Sequence, residues 1–435
     1  MKESAMGAYE SLHWEGNLGA PSTRDRQSGP FRAYLPDIVS GTIAISPEIS
    51  AKAASCEQKL RAVSQGYETT GLEAIARLIL RSEAVASSKI EGLQVGAKQL
   101  AIAELMSDDS LDAHSGRSTA RDIINNIRAL AFATTQLSKL SHTSITDLED
   151  IQRTLVEQAS LQGIRTHQNW VGGSSYHPLD ADFVPPPAAT IDNLLTDLLQ
   201  YLDGAEHGAL IQAGIVHAQF ETIHPFPDGN GRLGRALIHT VLMRRGLQKA
   251  AFMPISVALH TRSNEYVSGL TAFRHLASAG TREARDGINY WLDVFLAACD
   301  VALTHGELML GDIRELTRQW KEQHEEHYGR THTRRIRSDA ASVRLRNGLV
   351  ERPIFTIDSA REYLAVNDQS TRNAISELED AGIIRRINIG PGLHGWYQPE
   401  LFDLINEGER ALASTQWNTV LSPPRRAVPA PTTKL

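Results

Sequence analysis

The segment His224–Pro225–Phe226–Pro227–Asp228–Gly229–Asn230–Gly231–Arg232–Leu233–Gly234–Arg235 (HPFPDGNGRLGR) decides the fold around it. An apolar stretch, LIQAGIVHAQFETI, runs into it and another, ALIHTVLM, leaves it, so a tight loop joins two buried helices. Pro225 and Pro227 end the first helix. Gly229 and Gly231 allow backbone shapes and a close ligand approach that side chains would block. The second helix then starts at Asn230 or Gly231, and its free N–H groups face the loop as an anion site. Arg232 and Arg235, three apart, both turn toward that site. Asp228 is a hard oxygen ligand, and one carboxylate with phosphate oxygens is how proteins commonly hold Mg²⁺. His224 stands at the rim, placed to take a proton from an incoming hydroxyl. Together these groups suit phosphoryl-type transfer.

Around this loop the chain has 435 residues, enough for two to three folded units. Lys and Arg total 44 against 51 Asp and Glu, a net charge of -7 that leaves no global nucleic-acid footprint. The first residues, MKESAMGAYESLHWEG, hold no apolar run of leader length, and no stretch reaches a membrane span. With two cysteines, Cys56 and Cys299, a reducing compartment is the simpler reading, and a cytoplasmic location is expected.

Helical periodicity dominates, so the chain is expected to be mainly α. A loose arm is expected over 1–30, a helical region over 31–115 and a helical core over 116–306. A charged helix and basic connector are expected over 307–346, a small domain over 347–408 and a flexible tail over 409–435. Within these, SDDSLDAHSGR (Ser107–Arg117) is a loop, and Thr146 is a candidate N-cap with Glu149 three residues on. Helices are expected at Arg282–His305 and, separately, at Glu307–Gly329. GIRTHQNWVGGSSYHPLDADFVPPP (Gly163–Pro187) excludes a helix and reads as a loop or short hairpin.

The HPFPDGNGRLGR segment resembles the signature of the Fic/DOC family, HPFx[D/E]GN[G/K]RxxR, at every position. GIRTHQNWVGG, DADFVPPP and SVALHTRSNEYVSGL are also similar to that family, so the resemblance covers roughly Ser50 to Asp300. It implies a Fic-type helical core with a short β-hairpin flap at Arg165–Pro187. It implies a protein adenylyltransferase that moves AMP from ATP to a Ser, Thr or Tyr hydroxyl of a protein target. His224 would be the base and Asp228 would hold Mg²⁺. Gly229, Asn230, Gly231 and Arg232 would cradle the α- and β-phosphates, and Arg235 the γ-phosphate. Arg262, Asn264 and Tyr266 fall where the family contributes to nucleotide binding, although Glu265 and Val267 replace the aromatics usual beside Tyr266.

Ser87, Glu91 and Gly92 match the family's inhibitory motif, [S/T]xxxE[G/N], ahead of the core. Ser87 and Glu91 share a helix face, and Gly92 is a helix-ending signal. A paired bond from Glu91 to Arg235 would deny that arginine to the γ-phosphate and misorient ATP. In some relatives this glutamate also supports removal of AMP.

Helix, turn, helix and hairpin over Thr356–Tyr397 resemble a winged helix. Gln369, Ser370, Arg372 and Asn373 would be its DNA-reading residues, but 347–404 holds five Arg, no Lys and nine acids. That balance favours a dimerising or target-docking module over duplex binding. The candidate partners are thus a protein target (the chain itself included), a second copy of the chain, and DNA. Transfer of UMP, a phosphoryl group or phosphocholine, de-AMPylation and a DNA-binding regulator with a ligand-sensing core stand as alternatives. A zinc hydrolase is not expected: H-E-x-x-H is absent, and His217 reads as a core or supporting histidine.

Overall fold

In the computed structural model the described residues are 7–40, 43–65, 72–105, 115–248, 253–277, 281–333, 335–390 and 392–404. The tail expected over 409–435 and most of the loop at Ser107–Arg117 lie outside them. The chain opens with antiparallel strands β1 (Ala8–Trp14) and β2 (Gly29–Leu35), in register from Ala8 opposite Leu35 to Trp14 opposite Gly29. Helices follow: α1 (Pro47–Gln65), α2 (Leu72–Ile90), α3 (Ala97–Leu105), α4 (Ser115–Thr135), α5 (Ile145–Leu155) and α6 (Ile191–Asp203). Next come α7 (Ala209–Ile223), α8 (Asn230–Arg244), α9 (Ile255–Thr261), α10 (Ser263–Phe273) and α11 (Arg282–Thr331). The C-terminal unit is α12 (Ala341–Asn347), β3 (Ile354–Phe355), α13 (Ile357–Leu364), α14 (Asp368–Asp380), β4 (Arg385–Gly390) and β5 (Leu393–Tyr397).

Every residue of α7 is buried: apolar side chains lie on all sides of it, and Gln212, His217, Gln219, Glu221 and Thr222 are enclosed with them. It forms the central post, with α6, α8, α10 and α11 packed around it. Trp291 of α11 donates its indole N–H to the Gly214 carbonyl at 2.9 Å.

The structure corrects four expectations. The N-terminal segment is not a loose arm over its described part: Leu12, Trp14, Phe31 and Ala33 of the β1–β2 hairpin pack on Trp170, Leu179 and Val184 of the flap. Ser144, not Thr146, caps α5, because its hydroxyl accepts the Asp147 N–H while the Asp147 carboxylate accepts the Ser144 N–H. The two helices expected around Gly306 are one 50-residue helix, α11. A mid-helix glycine costs about 1 kcal/mol, and burial of Leu296, Met309, Leu310 and Ile313 on either side outweighs it. Part of α11 is also apolar enough over eighteen residues to cross a membrane by composition, contrary to the hydropathy reading, but more than half of that window is buried in the core.

The basic connector is partly folded, since α12 carries the buried Arg346, which donates to His324 Nδ1 on α11 at 3.2 Å. His324 Nε2 in turn meets Glu377 Oε1 of α14 at 2.6 Å. The expected helix–turn–helix and hairpin are present, with strand order β3-β5-β4 and all pairs antiparallel. The flap is closed by a single antiparallel bridge, Val171 to Phe183, instead of a run of paired residues. Pro185, Pro186 and Pro187 have no N–H to extend the ladder. Cys56 and Cys299 are buried free thiols.

Candidate functional site

His224 ends α7 in the left-handed region, with φ 49° and ψ 59°, and this turn swings the loop back over the post. The loop is fastened by side chains. Asn230 Oδ1 accepts the Phe226 N–H at 2.9 Å and its Nδ2 donates to the Phe226 carbonyl at 2.8 Å. The Asn230 side chain therefore shapes the loop, leaving only its backbone N–H to a ligand. Phe226 is fully buried against Phe220. Arg165 of the flap is buried and donates to the carbonyls of His224, His167 and Pro186, and burial pushes its guanidinium down to about 10. Asn169 Nδ2 adds a bond to the Phe226 carbonyl at 3.1 Å. Neither residue was singled out from sequence, because each acts through main-chain carbonyls.

The imidazole of His224 is pushed down to about 4, first by burial and then by the neighbouring Arg274 and Arg165 cations. It is a neutral proton acceptor at pH 7. On α8, Arg232 is buried, and two of its N–H groups, Nε and Nη1, have no partner. Its third nitrogen, Nη2, reaches Asp228 Oδ2 at 3.4 Å. A buried guanidinium with unpaired donors beside a helix N-terminus has the chemistry that suits an anion. Asp228 is about half exposed at the loop mouth, and its Oδ1 accepts the adjacent Gly229 N–H at 2.6 Å and Arg232 Nη2 at 3.5 Å. One open carboxylate beside an anion cradle fits Mg²⁺ shared with phosphate oxygens.

Arg235 is already occupied. Its Nε donates to Ser87 Oγ, and its Nη2 to both the Ser87 carbonyl and Glu91 Oε1, each at 2.8 Å. The paired bond expected from Glu91 is thus a single one, because Ser87 holds the other nitrogen. Burial works against charge on Arg235, yet Glu91, helped by Tyr266 and Glu221, holds the guanidinium above its ordinary value. Burial would raise the Glu91 carboxyl, but Arg235 outweighs it and holds it low. The pair is therefore ionic. Its carboxylate stands directly over the start of α8: a β-carbon at Gly231 would lie 1.9 Å from Glu91 Oε1. Glycine is required there for this approach. Gly92, at φ 79°, closes α2 behind Glu91, with Gly92 N–H bonded to the Lys89 carbonyl and Leu93 N–H to the Ser88 carbonyl.

One turn before Ser87, Glu83 anchors the same face of α2, accepting from Ser256 N–H at 2.7 Å and meeting His239 Nε2 at 3.1 Å. Tyr266 is buried beside Arg235, and its hydroxyl meets His217 Nε2 at 2.8 Å, so it backs the arginine and does not line an open cleft. His217 is accordingly a supporting core residue, pushed down to about 3 by burial. Glu221 sits against Gly234 with one carboxylate oxygen unpartnered, and burial raises it to about 7. Sequence reading passed over Glu83 and Glu221 because the groups that face them lie on other segments of the chain.

The helical core thus brings a histidine-tipped loop and the N-terminus of α8 together at one place. Residues 142–242 match the Fic/DOC family model and residues 59–135 its N-terminal companion, and this region belongs to the Fic/DOC family. The chain is 41% identical over 73 residues to a probable protein adenylyltransferase of Aquifex aeolicus, covering 17% of this chain and 23% of that one. It is 30% identical over 165 residues to protein adenylyltransferase fic-1 of Caenorhabditis elegans, covering 37% and 29%. The chain thus spans less than a third of the length of these curated relatives. A crystal structure of a Fic family protein from Desulfovibrio desulfuricans superposes with a TM-score of 0.47 at 17% identity, covering 83% of this chain and 98% of that one.

Proposed function

We propose that the chain is a protein adenylyltransferase whose α2 terminus brakes its own active site. The observation that carries this reading is Arg235 held by Ser87 and Glu91 while Arg232, one turn earlier, keeps unpaired donors. One half of an anion cradle keeps unused donors and the other is filled by an internal carboxylate.

In the reaction, His224 accepts the proton of a target Ser, Thr or Tyr hydroxyl. The hydroxyl oxygen attacks the α-phosphorus of ATP, the bond to the bridging oxygen breaks, and pyrophosphate leaves with that electron pair. The α8 N–H groups and Arg232 hold the α- and β-phosphates, and Arg235, once free, aligns the γ-phosphate. Mg²⁺ at Asp228, when bound, neutralises phosphate charge. Arg165 and Asn169 keep the loop in shape.

The C-terminal unit, read as a winged helix, serves to dock a target or a second copy of the chain. Arg372 is paired with Asp368 at 2.8 Å and Gln369 bonds Asn373 at 2.9 Å, so three of the four residues that would read DNA have side-chain partners within α14.

The test is to incubate Glu91→Gly with Mg²⁺, a cell lysate and ATP labelled at the α- or the γ-phosphate. Label from the α-phosphate alone should enter protein and disappear in Glu91→Gly/His224→Ala. No incorporation from any nucleoside triphosphate would sink the transferase reading.

A further inference from the structure

α2 is held from two sides. Glu83, Ser87 and Glu91 fasten one face of it to α8 and α9. Arg77 and Arg81, one turn apart on a different face, fasten it to the C-terminal unit. Arg77 Nη1 pairs with Glu351 Oε1 at 2.7 Å, and Arg81 Nη1 donates to the Glu351 carbonyl at 3.0 Å. Arg81 Nε also meets Glu104 of α3 at 3.3 Å, which ties α2 to α3 at this junction. α3 follows α2 after the short connection 91–96 and carries the contact further. Its Ala101 packs with Ile354 of β3 and with Phe402, and Lys98 Nζ lies 4.0 Å from the centre of the Tyr397 ring.

The two attachments differ in kind. On the active-site side Glu83, Ser87 and Arg235 are all buried. On the other side the Arg77 side chain is 56% exposed, and a cavity of about 300 Å³ stays open among Arg77, Arg81, Glu104, Leu105, Arg352 and Phe355. A polar, partly open interface between units of one chain separates readily. The C-terminal unit grips the first half of α2, and Glu91 stands just beyond its last residue. A helix moves as one rod, so a grip on its first half restrains its far end.

We propose that the C-terminal unit is a second anchor of the brake: seated against α2 and α3, it holds Glu91 on Arg235, and its separation releases them. A ligand of the unit that prefers the separated state shifts α2 off Arg235 to the extent of that preference. What binds the unit thus acts on the alignment of ATP without touching the catalytic loop. The effect on transfer rests on the function proposed above, whereas the anchoring does not.

The test uses the full chain. Glu351→Arg sets like charge against Arg77 and Arg352, and Arg77→Glu sets it against Glu351. Each should speed amide exchange over residues 72–90 and raise basal AMP transfer about fivefold, the upper worth of an exposed ion pair. Unchanged exchange in α7 reports that the core stays folded. Arg77→Glu/Glu351→Arg re-forms the pair in reverse and should return both readings to wild-type values. Added to Glu91→Gly, Glu351→Arg should give no further rise, because the brake is already gone. Unchanged exchange over 72–90 in both single variants, or a double variant as fast as either, overturns the anchor. Faster exchange with an unchanged transfer rate, or an equal gain in the Glu91→Gly background, overturns its link to the brake. A Glu91→Gly variant that transfers no AMP removes the transferase reading, and the exchange rates still decide the anchor.

Discussion

At the residue scale the account turns on which groups are charged. His224 is neutral above about pH 4 because burial and two cations oppose its protonation. The acid limb of transfer, measured in Glu91→Gly, should therefore lie far below the ordinary imidazole value of about 6.5. Glu221, raised to about 7 by burial against the pull of Arg235 and with a smaller push from Glu91, titrates near neutrality, somewhat lower once Glu91 is gone. Its ionised form draws on the charge of Arg235, so the KM for ATP should rise with pH through that range and stay flat in Glu91→Gly/Glu221→Gln. An inflection near 6.5 in kcat that survives Glu221→Gln would assign ordinary basicity to His224 and contradict this. Ser87→Ala removes one bond to the Arg235 Nε but keeps Glu91. It should raise transfer about three- to tenfold, less than loss of Glu91 does, as read by labelled AMP incorporation. The motif residues were legible in sequence because twelve contiguous positions carry the whole loop. Arg165, Glu83 and Glu221 were not, since their meaning comes from carbonyls and side chains on distant segments.

At the element scale the proposed brake rests on how α2 is attached. Glu83, Ser87 and Glu91 project at four-residue intervals toward α8 and α9, one attachment per turn. Glu83 is buried, so Glu83→Ala leaves the Ser256 N–H and His239 without their acceptor. It should cost about 3 kcal/mol or more in α2 docking. Faster amide exchange over residues 72–90, with higher basal AMP transfer, would show it; unchanged exchange would mean that the helix is held by packing alone. Helix positions were readable from apolar spacing. The β1–β2 hairpin was not, because the partners that bury Leu12, Trp14 and Phe31 belong to the flap, more than a hundred residues away. The join of α11 through Gly306 was hidden for a similar reason: tertiary burial on both sides overrides a local breaker.

At the scale of the whole molecule, α11 is the spine. Its first half packs on the central post, and its second half carries the C-terminal unit through His324, Glu377 and Arg346. That unit has five Arg against nine acids over 347–404, so no shift of duplex DNA is expected at physiological salt. A salt-sensitive shift by the full chain, lost in Arg372→Ala, would give the unit a nucleic-acid role. The proposed brake links all three scales, since in it one carboxylate at the end of one helix decides whether the core can align a triphosphate. The most direct test is the rate of AMP incorporation by Glu91→Gly relative to the wild-type chain, followed by intact mass with Mg²⁺ and ATP. The account predicts a rise of roughly tenfold or more, as expected for removing a charge-assisted bond that blocks the site. Equal rates, with ATP bound equally by both, would contradict it.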